Sequence, residues 1–163
     1  MRKKKKIVRV IHPSTGPLPD RIKDKYAQHI LIFSDASLKT HGGLSAVIFP
    51  TPESSPLVFT RSIAGTTSNA LELLALAFAL EQSENLFPGQ KRAFFSDNQD
   101  TISRFQTIQS GNRQDFQLTE FSGKYPPNLM KENIEFCWVK GHGKCRGNLI
   151  ADYHARLAAE TRT

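Results

Sequence analysis

The chain has 163 residues, 39% hydrophobic and 23% charged, with a formal net charge of +7; that is enough apolar material for one soluble domain with a core. No apolar run approaches the roughly 20 residues that would cross a bilayer, which argues against a membrane partner. Six cations (Arg2, Lys3, Lys4, Lys5, Lys6 and Arg9) lie in the first ten residues without an acid, leaving a net +1 elsewhere, so a polyanion would have to be held by local clusters, the basic tail and metal ions.

Residues 1–27 join this cationic run to His12-Pro13-Ser14-Thr15-Gly16-Pro17 and read as a flexible basic arm or linker, too poor in apolar side chains to fold alone. A solvated tail, a nucleic-acid-binding arm and a nuclear-import signal all fit that composition. The folded domain is expected over 28–163. It opens with a strand at His29–Asp35, followed after turn residues by strands at Leu44–Phe49 and Leu57–Arg61; connections this short predict an antiparallel meander. Ser68 to about Glu84 is rich in Ala, Leu and Glu, lacks Gly and Pro, and is apolar almost all round, which predicts a buried helix. A strand at Arg92–Ser96, a helix at Asp100–Gln109, a strand at Ile134–Val139 and a helix at about Asn148–Glu160 follow. Residues 110–133 are polar and turn-rich, and their structure stays open. The order βββαβαβα predicts an α/β fold: a five-stranded mixed sheet, with an antiparallel meander plus two parallel strands, flanked by helices.

Cys137 and Cys145 match no zinc spacing and are too few for a disulfide framework, so free thiols in a reducing intracellular compartment, cytoplasmic or nuclear, are expected.

Asp35 and Asp97 each follow an aromatic-Ser pair, Phe33-Ser34 and Phe95-Ser96, at the predicted ends of the first and fourth strands. If those strands are parallel neighbours, both carboxylates meet in the crevice at the strands' C-terminal ends; alone, either is an ordinary turn former. Glu72 sits among Leu71, Leu73 and Leu74, where a charge is costly unless used, although Asn69 three residues earlier also makes a capping box. Asp152 is expected near the start of the last helix, where the dipole favours an acid anyway. Together the four offer oxygen ligands of the kind hard Mg²⁺ or Mn²⁺ takes.

Trp138-Val139-Lys140-Gly141-His142, followed after a short loop by Gly147-Asn148-Leu149-Ile150-Ala151-Asp152, resembles type 1 ribonuclease H, including the ribonuclease H domains of reverse transcriptases. Ser34-Asp35-Ala36-Ser37, Ser68-Asn69-Ala70-Leu71-Glu72-Leu73 and Ser96-Asp97-Asn98-Gln99 extend the likeness in the family's order from about His29 to Ala159. The resemblance implies a ribonuclease H-like fold and an endonuclease that hydrolyses the RNA strand of RNA–DNA hybrids, leaving 5′-phosphate and 3′-hydroxyl ends. It implies two Mg²⁺ ions, replaceable by Mn²⁺, held by Asp35, Glu72, Asp97 and Asp152. His142 would be a mobile-loop histidine for proton transfer or product release. Ser37, Asn69 and Gln99 match positions that meet the hybrid across its minor groove, while Lys140 and Arg146 read as phosphate contacts or as solvated loop charges. The implied partners are the hybrid and an attached or associated reverse transcriptase, with the chain otherwise monomeric. Two departures stand out: Ala36 replaces the family's usual Gly, and residues 110–133 carry no basic handle. A non-catalytic hybrid-binding module of the same fold is the alternative reading.

Overall fold

The computed structural model describes residues 16–64, 67–110, 133–141 and 145–160. A five-stranded sheet in the order β3-β2-β1-β4-β5 forms its centre. Its strands are β1 (Ile30–Leu38), β2 (Gly42–Phe49), β3 (Leu57–Ile63), β4 (Arg92–Ser96) and β5 (Ile134–Trp138). The helices are α1 (Asp20–Lys23), continued by a 3-10 turn at Asp24–Tyr26, α2 (Ser68–Leu86), α3 (Gln99–Gln109) and α4 (Arg146–Glu160). The β1–β2 and β2–β3 pairs are antiparallel, while β1–β4 and β4–β5 are parallel, so the expected mixed sheet is present. No described helix is long and apolar enough to cross a membrane.

Side-chain alternation along the strands gives the sheet two buried faces. Ile30 and Ile32 of β1 and Leu44, Ala46 and Ile48 of β2 form one core with Leu71, Leu76 and Phe78 of α2 and Ile102 and Phe105 of α3. Leu31 and Phe33, with Val47, Phe49 and Phe95, form the other core beneath Ala151 of α4. α4 comes close enough only because its first turn carries Gly147: a Cβ there would lie 2.3 Å from the Phe33 ring. At the sheet edge, the Gln106 and Gln109 amides of α3 donate to the Phe136 and Ile134 carbonyls of β5, covering acceptors that an edge strand otherwise leaves open.

The N-terminal boundary differs from the sequence expectation. Residues 17–26, assigned above to the arm, are packed: Leu18 and Tyr26 are 1% and 3% exposed and join the core under α4. The Pro17 carbonyl accepts a hydrogen bond from the Gly147 N–H at 2.9 Å. Tyr26 sets its ring edge-on against Phe95, with centroids 5.1 Å apart. Leu18, Ile22 and Tyr26 recur at every fourth position, a helical spacing embedded in a Pro-rich, charged stretch. The cationic run and most of 110–133 lie outside the described residues.

Candidate functional site

Strand register brings the two aspartates together. The parallel β1–β4 ladder ends at Phe33↔Phe95, so Asp35 and Asp97 each lie two residues beyond the last pair, where the strands part and open a crevice. Asp35 does not end its strand, as expected from sequence. β1 runs on to Leu38 because its ladder with β2 continues through Leu38↔Gly42; only the side facing β4 is released. Asp97 follows β4 directly, with its backbone carbonyl accepting from Trp138 Nε1 at 3.0 Å.

Glu72 enters from α2. The capping alternative fails: Thr67 is the N-cap, its hydroxyl accepting from the Ala70 N–H at 3.3 Å. Glu72 stands on the second turn, and its Oε1 is buried with no hydrogen-bond partner among the described residues. One carboxylate oxygen from each of Asp35, Glu72 and Asp97 lies within 4.8 Å of the others.

Asp152 is placed differently. α4 begins at Arg146 and not at Asn148, so Asp152 sits in the second turn, beyond the strongest part of the helix dipole. Its carboxylate pairs with Arg156 at 3.1 Å, outside the three-carboxylate group. It still borders the site: Asp152 is among the charges that raise the pKa values of Asp35 and Glu72. Ser45, opposite Asp35 in the ladder, donates to the Ala151 carbonyl at 2.6 Å and ties β2 to α4 one residue before Asp152.

Burial and mutual repulsion set the electrostatics. Burial first, then Glu72 and Asp97, push the Asp35 carboxyl up to about 9, against the pull of the Ala36 N–H, which donates to its Oδ1 at 2.9 Å. Burial, then Asp97 and Asp152, push Glu72 up to about 8. The donor set is all oxygen, and among the described residues one of those oxygens, Glu72 Oε1, lacks a partner. These residues therefore fit a hard divalent cation, which would reverse the repulsion and favour the ionised carboxylates.

The remaining candidates lie outside the three-carboxylate group. Ser37 is half-buried on β1, two residues past Asp35, and Asn69, Gln99, Lys140 and Arg146 are exposed. Gln99 is the first residue of α3, whose N-cap is Asn98, with its Oδ1 accepting from the Thr101 N–H at 2.9 Å. His142 falls in 142–144, outside the described residues. Sequence reasoning missed two neighbours of Asp97. Asn148 is 2% exposed and donates from Nδ2 to Asp97 Oδ2 at 3.4 Å. Gly141 passes so close that a Cβ would lie 2.8 Å from the same oxygen. A signal for Asn148 was present: it precedes Asp152 by four residues, so both share one helix face.

Comparison with known proteins agrees with this architecture. A family model described as RNase H matches residues 27–160, while no curated protein matches the chain. A ribonuclease H1 from the halophilic archaeon Halobacterium salinarum superposes with a TM-score of 0.59 at 17% identity, over 81% of this chain and 97% of that one. A ribonuclease H1 isolated from compost by a metagenomic approach, solved in complex with an RNA/DNA hybrid, gives 0.58 at 17% identity over 79% and 98%. The protease-reverse transcriptase of prototype foamy virus gives 0.62 at 16% identity over 95% of this chain but 22% of that one. At these identities the likeness shows the fold.

Proposed function

The chain belongs to the ribonuclease H family, and from that premise we propose that it is an endonuclease hydrolysing the RNA strand of RNA–DNA hybrids. The observation that carries the reading is the convergence of Asp35, Glu72 and Asp97, from three separate elements, within 4.8 Å. Nothing about folding requires three carboxylates to meet in a largely buried crevice, and the cost is visible in the raised pKa values of two of them. A phosphodiesterase that uses divalent cations does require it.

Asp35, Glu72 and Asp97 would hold the cation site, with Asp152 completing it once its carboxylate turns from Arg156. Bound there, two Mg²⁺ ions, or Mn²⁺ in their place, would supply Lewis-acid stabilisation of phosphate charge and a more acidic water at neutral pH. The protein's own part is placement. The Ala36 N–H fixes one oxygen of Asp35, and the Trp138 indole fixes the backbone of Asp97. Water adds to phosphorus and the bond to the 3′ oxygen breaks, which leaves a 5′-phosphate and a 3′-hydroxyl. The family resemblance assigns His142 the proton transfer or product release.

Ser37, Asn69 and Gln99 are polar and accessible at the ends of β1, α2 and α3 nearest the carboxylates, which supports minor-groove contacts where 2′-hydroxyls distinguish RNA from DNA. Lys140 and Arg146 are exposed cations close in sequence to Gly141 and Asn148, which both approach Asp97, and suit phosphates. The likeness to a reverse transcriptase over 95% of this chain supports a role beside or within such an enzyme.

Substrate choice tests the proposal. With Mg²⁺, an end-labelled RNA–DNA hybrid should be cut in its RNA strand alone, to products that carry 5′-phosphates, while duplex DNA and single-stranded RNA stay intact. Equal cutting of duplex DNA would contradict the hybrid assignment. Hybrid binding without cutting, in Mg²⁺ and in Mn²⁺, would make the chain a non-catalytic binding module.

A further inference from the structure

Asn148 is an uneconomical choice for a packed helix position. Its side chain is 2% exposed on the first turn of α4, where a leucine or methionine would fill similar volume without polar atoms to satisfy. Its Oδ1 is buried and, among the described residues, has no hydrogen-bond partner, a net cost to the fold. Among the described residues its side chain bonds from Nδ2 to Asp97 Oδ2, at 3.4 Å. The orientation of the amide follows from that neighbour: turned over, it would set one acceptor oxygen against another.

The support beneath Asn148 is rigid. Gly147 is pressed against the Phe33 ring and bonded through its N–H to the Pro17 carbonyl. Cys145, just before α4, is buried, with its thiol donating to the same carbonyl at 3.5 Å. The Gly141 backbone also comes close to the same carboxylate oxygen. Oδ2 is therefore met by both a loop backbone and the amide of α4.

We propose that Asn148 is a positioning residue for Asp97: its amide holds one carboxylate oxygen so that the group meets Asp35 and Glu72 in a cation-binding arrangement, and it links α4 to the site independently of Asp152. The inference rests on the metal-centre reading given above. Hydrogen-bonded partners of a ligating carboxylate typically change metal affinity by about 10- to 100-fold, and a positioning role acts on affinity and turnover without altering the grip on the hybrid.

The test uses the full chain and three measurements: Mn²⁺ binding to the free protein by calorimetry, kcat and KM on the hybrid at saturating metal, and melting temperature in chelator. Asn148→Leu removes the donor and the orphaned carbonyl while keeping the bulk. It should weaken Mn²⁺ binding about 10-fold, lower kcat, leave KM for the hybrid unchanged, and melt no lower than the wild type. Asn148→Ala serves if leucine does not fold, and Asn148→Ser, which keeps a donor, should recover part of the loss. Mn²⁺ affinity and kcat within twofold of wild type in Asn148→Leu or Asn148→Ala would overturn the proposal. Asp97→Asn separates the two levels: if it still binds Mn²⁺ as the wild type does, the metal centre itself is wrong, and the role of Asn148 falls with it.

Discussion

Asp35 is almost wholly buried, yet acids crowd its carboxylate, and the hydrogen bond shown to that carboxylate among the described residues comes from the Ala36 N–H. In the metal-free protein both Asp35 and Glu72 therefore hold protons more tightly than in the unfolded chain, where carboxylates titrate near pH 4. Raised folded-state values, about 9 and about 8, mean that the folded state binds more protons, so stability falls as pH rises. The contribution is complete below about pH 4 and is lost as pH climbs through those folded values. In chelator, the wild type should melt at a lower temperature at pH 8 than at pH 5. Asp35→Asn should flatten that slope and melt above the wild type at pH 8, by about 3 °C for each 1 kcal/mol of repulsion relieved. Mg²⁺ should raise the wild-type melting temperature at pH 8 and leave Asp35→Asn nearly unmoved. Parallel pH slopes for the two proteins would remove the electrostatic account. The aspartates were legible because an aromatic-Ser-Asp sequence recurs after two apolar runs. Glu72 was ambiguous because Asn-x-x-Glu also spells a capping box, and Asn148 was overlooked because an asparagine near a helix start usually reads as a cap.

Element boundaries were legible where one rule acted and blurred where two did. β4 runs from Arg92 to Ser96, as its apolar run foretold. β1 outlasts its apolar stretch because ladder hydrogen bonds to β2, which are indifferent to side-chain polarity, carry it through Ser37 and Leu38. At α2, Thr67 caps and Asn69 is exposed. Thr67→Ala should therefore cost about 1 kcal/mol by denaturant unfolding, while Asn69→Ala should leave stability unchanged and raise KM for the hybrid. The reverse pattern would restore Asn69 as the cap. The segment around α1 escaped sequence reading because two prolines and alternating charges surround its three anchors, Leu18, Ile22 and Tyr26. Leu18→Ala should destabilise the chain by about 2–5 kcal/mol; an arm loosely tethered through residue 27 would show no change.

For the whole molecule, net charge says less than placement. Most of the +7 belongs to the first ten residues, and the remainder concentrates acid, not base, where the polyanion would be cut. Under the proposed function, binding the hybrid would depend on cations: soluble ones at the carboxylates, together with side chains such as the exposed Lys140 and Arg146. The fold was legible as a whole because loop lengths alone separated antiparallel from parallel connections, and that topology places the ends of β1 and β4 side by side. The central claim is that these carboxylates cut the RNA strand, and the most direct measurement compares wild type with Asp97→Asn on an end-labelled RNA–DNA hybrid in Mg²⁺, with hybrid affinity measured in parallel. The account predicts cutting by the wild type, loss of at least about 100-fold in kcat for Asp97→Asn, and hybrid binding retained by the variant. Cutting by Asp97→Asn at the wild-type rate would contradict it.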